Sequence, residues 1–125
     1  MKKMTLIFGG LFLLLVNSAY ALRCGVYQLS GGNSIWGGSS YQGDVIIQPQ
    51  GENYSVTWKI GTRGQTQTGI GILYNNVLSV AFFDTLTQAW GVVAYRVVAD
   101  GELEGRWTTY SSYSQKPEYL IWKSY

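Results

Sequence analysis

The amino-acid sequence predicts an all-β protein: an eight-stranded antiparallel up-and-down β-barrel, with long loops at one end and tight turns at the other. Three observations predict it. Apolar and polar residues alternate with period two along several segments, as half-buried strands require. Turn signals rich in Gly, Asn and Ser separate these segments at ~8–12-residue spacing, the rhythm of a sandwich or closed barrel. No stretch carries a convincing helical period. The composition agrees. At 125 residues the chain has room for one domain, and its 13% charged residues are about half the usual ~25%, with Gly, Ser, Thr, Gln, Tyr and Trp in their place.

The first element is a targeting segment. Lys2 and Lys3 precede an apolar run from Met4 to Val16, and Ala19 and Ala21 then stand in an A-x-A spacing. A positive start, a short apolar middle and a small-residue cleavage site describe a secretory signal peptide. The run is shorter than the ~20 residues of a spanning helix. The expected division is residues 1–21 as signal peptide and 22–125 as a single β-barrel domain, exported to the periplasm or the medium, with no transmembrane helix. Beyond Ala21 the basic residues Arg23, Lys59, Arg63, Arg96, Arg106, Lys116 and Lys123 balance Asp44, Glu52, Asp84, Asp100, Glu102, Glu104 and Glu118 one for one. No basic stripe is left for a nucleic acid. Cys24 is the single cysteine, so only an intermolecular bridge, a Cys24-linked dimer, is open to it.

The candidate strands follow in order: Gly25–Leu29, Tyr41–Gln48, Asn53–Ile60, Thr66–Tyr74, Val77–Phe83, Trp90–Ala99, Glu102–Thr109 and Glu118–Lys123. The third is the clearest, with Tyr54, Val56, Trp58 and Ile60 alternating with Ser55, Thr57 and Lys59. In the seventh, Leu103, Gly105 and Trp107 take one face and Glu102, Glu104 and Arg106 the other. Pro49-Gln50-Gly51-Glu52 reads as a turn. Asn75-Asn76 supplies positive φ for a two-residue hairpin, and Asp100-Gly101 is a type I′ signal. The connections alternate in length. Ser30–Ser40, Gly61–Gln65, Asp84–Ala89 and Tyr110–Pro117 are long, and those between them are tight. In a meander odd and even connections lie at opposite ends, so one end carries every long loop. Inward Tyr54, Val56, Trp58, Ile60, Leu103 and Trp107 are expected to fill so short a barrel.

Gly25-Val26-Tyr27 near the start, Asp100-Gly101-Glu102-Leu103-Glu104-Gly105-Arg106-Trp107 near the end, and the tight alternate turns resemble the calycin-type barrels, including avidins and lipocalins. The run Gly91-Val92-Val93-Ala94-Tyr95-Arg96-Val97 resembles a pattern in small exported bacterial domains, some of fibronectin-binding type. The resemblance implies a closed barrel and, from the second group, a host-matrix partner. It implies no ligand, because the biotin-contacting positions of avidins and the disulfides and helix of lipocalins have no counterparts here.

The absence of His removes Ser-His-Asp and Cys-His catalysis and every His-based metal site. Glu102 and Glu104 share a face with Arg106 and read as a solvated charge row rather than a glycosidase pair. Gly69-Ile70-Gly71 runs into a strand, not the helix that a dinucleotide fingerprint needs. No catalytic residue, cofactor or metal ligand is expected. The long-loop end is the candidate site, since Tyr, Trp, Ser, Gly and Asn on a rigid scaffold are what binding loops use. Trp36, Trp90, Tyr110 and Tyr113 are expected to form a contact surface, with Arg63 and Asp84 as rim charges. The expected function is an exported, non-enzymatic module that recognises a protein, glycan or small ligand. The alternatives are a periplasmic inhibitor of a hydrolase, lysozyme-inhibitor-like, and a small outer-membrane barrel.

Overall fold

In the computed structural model, which describes residues 20–32, 40–61 and 65–125, eight strands follow one another around a closed barrel. They are β1 Gly25–Gly32, β2 Ser40–Gln50, β3 Asn53–Ile60, β4 Gln65–Tyr74, β5 Val77–Asp84, β6 Trp90–Ala99, β7 Glu102–Thr109 and β8 Lys116–Ser124. Every neighbouring pair is antiparallel, and β1 closes the ring against β8, with Leu29 opposite Leu120. The predicted fold class is therefore observed. β1 is eight residues long and paired on both sides, and it runs past the expected Gly25–Leu29 to Gly32. Followed from strand to strand around the ring, the register returns to β1 displaced by about ten residues. That is the stagger by which tilted strands close into a barrel.

Three local expectations need correction. Pro49 and Gln50 belong to β2, and the turn is Gly51-Glu52 alone. Asp100-Gly101 is not a type I′ turn. Only Gly101 has positive φ, 77°, and the register slips by one between Val97 and Ala99, so the turn is followed by a bulge. Lys116 and Pro117 belong to β8 rather than to the preceding loop, which brings Glu118 into the barrel wall. Asn75 and Asn76, at φ 50° and 67°, do form the expected hairpin.

Period-two alternation sorts the side chains as the sequence requires. Val56, Trp58 and Leu103 point inward and are buried, while Arg96 and Glu104 pair outside at 2.6 Å and Lys123 and Asp44 at 2.8 Å. The half of the interior nearest the tight turns is packed solid by Tyr27, Leu29, Val45, Ile47, Leu78, Val97, Leu103 and Leu120. The chain before β1 seals this end. Leu22 and Cys24 pack on the core, and Arg23 lies 3.6 Å over the Trp122 ring. Trp122 Nε1 donates to the Cys24 carbonyl at 3.1 Å.

On β2 and β3 this packing differs from that of an outer-membrane barrel. Such barrels are polar inside and apolar in a continuous band outside. Here the tight-turn half of the interior is apolar, and the outer faces of β2 and β3 carry Gln42, Asp44, Gln48, Ser55, Thr57 and Lys59. Among the described residues no helix is long and apolar enough to cross a membrane.

Candidate functional site: a cavity at the long-loop end

The loop half of the barrel is hollow. A cavity of about 320 Å³ lies among Tyr41, Trp58, Ile60, Phe82, Val93, Tyr95, Trp107 and Glu118, with Gln67, Asp84, Ala89 and Thr109 on its loop side. The expectation of a filled interior thus holds only for the tight-turn half. The volume is at the small end of ligand pockets, ~300–1,000 Å³.

Aromatic rings form an arc along its wall. Trp58 meets Phe82 edge to face at 5.6 Å, Phe82 meets Trp107 at 6.5 Å, and Trp107 meets Tyr41 at 6.4 Å. Two glycines make room for the tyrosines. A Cβ on Gly105 would stand 2.6 Å from the Tyr95 ring, and one on Gly31 would stand 2.1 Å from the Tyr41 ring. Each large ring therefore lies across a neighbouring strand at a position that only glycine leaves open.

A polar network crosses this aromatic wall and centres on Glu118, which is only 4% exposed. Trp58 Nε1 donates to the Tyr95 hydroxyl at 2.9 Å, and Tyr95 donates to Glu118 Oε2. From the other side, Trp107 Nε1 donates to the Tyr41 hydroxyl at 2.7 Å, and Tyr41 donates to Glu118 Oε1 at 2.9 Å. Five residues on β2, β3, β6, β7 and β8 are joined this way. Burial pushes the Glu118 carboxyl above its ordinary range, and the hydrogen bonds from Tyr95, Tyr41 and Trp58 pull it partly back. The Tyr41 and Tyr95 hydroxyls are pushed well up, by burial first and then by the Glu118 charge.

The structure describes four of the six sequence-predicted residues. Trp36 and Arg63 lie outside the described residues. Asp84 is not an exposed rim charge. It is 4% exposed, lines the cavity, and accepts from the Leu86 and Thr87 amides at 2.9 and 3.3 Å and from Gln67 Nε2 at 3.2 Å. It thereby holds the turn before β6. Trp90 and Tyr110 stack on each other at 4.7 Å, but on the outside of the barrel and half or more exposed. Tyr113 is fully exposed.

Sequence reasoning missed Tyr41, Tyr95 and Glu118. The available signal was phase: Glu118 stands in step with Leu120 and Trp122 on the inward face of β8, where an acid is out of place. Ile70, Ile72 and Val92 were also unexpected. They stand exposed beside a hollow of about 620 Å³ on the outer face of β4 to β7, floored by Ser79, Ala81 and Ala94.

No protein-family model and no curated protein matches the chain. Among solved structures it is similar to a de novo designed fluorescence-activating β-barrel, with a TM-score of 0.60 and 16% identity over 80% of this chain and 94% of that one. At this identity the likeness shows the fold alone. The protein shares with that design the architecture of a small closed β-barrel.

Proposed function

We propose that the protein is an exported, non-enzymatic binding module that holds a small ligand in the loop-end half of its barrel. One observation carries the reading: the interior is solid and sealed at the tight-turn end, and hollow, aromatic and polar at the other. Apolar walls with a few convergent polar groups are what ligand pockets use. Lys2 and Lys3, the apolar run and the A-x-A spacing before Leu22 support export.

Native mass spectrometry of the protein, expressed as its full chain and purified from the exporting cell, tests this reading. The expected result is a small-molecule mass that stays on the folded protein and is lost in Ala89→Trp, which crowds the cavity from an exposed loop position. A bare protein whose Trp58 and Trp107 fluorescence responds to no small apolar probe would overturn it.

A second reading places a protein or glycan, a host-matrix component included, on the outer loop surface. The exposed Trp90–Tyr110 stack with Tyr113 beside it in sequence favours that reading. In the same measurement it predicts a protein- or glycan-sized addition, abolished without unfolding by changing Trp36 and Tyr113 together.

A further inference from the structure

We infer that Glu118 is the anchor for an organic cation, an ammonium group carried on a small aromatic or apolar body, bound in the loop-end cavity. The inference rests on reading that cavity as the ligand site.

The direction of the hydrogen bonds carries it. An indole N–H only donates. Trp58 and Trp107 therefore make acceptors of the Tyr95 and Tyr41 oxygens, and each tyrosine has one proton left to give. Both protons go to Glu118, one to each carboxylate oxygen. An ionised carboxylate, which only accepts, completes this pattern. A protonated one would point its own proton at a hydroxyl already donating to it. The network thus prepares a buried negative charge and surrounds it with neutral donors. Such a charge is costly to hold without an opposite one.

No described side chain supplies the opposite charge. The ion pairs Arg23–Asp100, Arg96–Glu104 and Lys123–Asp44 all lie away from the cavity. Lys116, two residues earlier on the same face of β8, stands over the Trp107 ring, 5.2 Å from its centroid. Trp58, Phe82 and Trp107 line the cavity, and aromatic rings are the other half of what recognises an ammonium group. Ile60 and Val93 then leave apolar wall for the rest of the molecule.

Three probes of one shape and different charge test it: phenethylamine, phenethyl alcohol and hydrocinnamate, titrated against the exported protein by calorimetry and tryptophan fluorescence. The amine is expected to bind on the order of tenfold or more tighter than the alcohol, and the acid not at all. Glu118→Gln should bring the amine down to the level of the alcohol and leave the alcohol unchanged. Lys116→Ala should leave the preference for the amine intact. It keeps the carboxylate and the fold, so the preference stays testable even if Glu118→Gln does not fold. Equal binding of amine and alcohol would overturn the cation inference and leave the cavity reading standing. So would preference for the acid, with Lys116→Ala abolishing it. If none of the three binds, Glu118 is a structural tie only and the inference fails. The retained mass on the native protein then decides separately whether the cavity reading fails with it.

Discussion

At the scale of single residues, two acids break the apolar phase of their strands, and the structure gives them different tasks. Asp84 is satisfied by the Leu86 and Thr87 amides and by Gln67, and fixes a turn. Glu118 fixes no turn and joins five strands through hydroxyl and indole groups. Its burial has a consequence for stability. Because burial raises the carboxyl in the folded state, the native protein holds that proton more tightly than the unfolded chain does. The contribution is therefore full below the ordinary carboxylate range and is lost as pH rises through the raised value. The tyrosines and indoles of its network do not titrate in that window. Tyr41 from β2 and Tyr95 from β6 are pushed upward, and Trp58 and Trp107 are neutral. Lys116 on β8 itself, its Nζ drawn to the Trp107 ring, and Asp84 on β5, which lines the same cavity, are the other charged residues to be weighed. Urea midpoints of the wild type and Glu118→Gln, taken from acidic to neutral pH, should diverge, with the wild type losing ground as pH rises. Parallel profiles would mean that Glu118 does not titrate there. A bound cation should flatten the wild-type decline, since it offsets the cost of the charge.

At the scale of elements, the tight turns define register. In a barrel with apolar inward faces a slip of one residue turns every side chain outward. The hairpin between β4 and β5 shows how local chemistry secures it. Asn75 and Asn76 take the left-handed conformation that few side chains accept, and Asn76 Nδ2 donates to the Val97 carbonyl at 3.0 Å. The Val97 amide donates back to the Asn76 carbonyl, also at 3.0 Å, so this turn is tied to β6 as well. Asn76→Ala keeps the unfavourable φ and loses the side-chain bond. It should cost about 1–2 kcal/mol, read from the shift in urea midpoint. An unchanged midpoint would show that the tie contributes nothing.

At the scale of the whole molecule, the first and last described residues lead into and out of the sealed end, where Val26 pairs with Ser124. A permuted chain that joins Tyr125 to Tyr20 through a short Gly/Ser linker and opens at Gly51-Glu52 leaves every strand pairing and the cavity untouched. It should fold to the same near-ultraviolet spectrum and bind phenethylamine like the parent. Loss of either would show that the order of the strands, and not only their pairing, holds the cavity open. The cavity itself follows from the placement of side chains. Where Leu, Ile and Val project inward the bore is filled. Where large rings lie over Gly31 and Gly105 against the wall, space is left between them.

The sequence by itself determined the fold class, the strand order, most strand limits to within one residue and which end bears the long loops. These follow from period-two burial and turn chemistry, which act over a few residues. It misread the Asp100-Gly101 turn because type I′ and bulged turns share residue preferences and differ only in backbone angles. It left Lys116 and Pro117 in a loop because proline signals a break, although Pro117 pairs with Arg106 near the start of β8. The tertiary structure alone decided that Trp90 and Tyr110 face outward, that Asp84 is buried, and that Tyr41, Tyr95 and Glu118 meet. Tyr41 and Glu118 are separated by most of the chain, and only closure of β1 onto β8 makes them neighbours. No local pattern encodes a contact that depends on the last strand returning to the first.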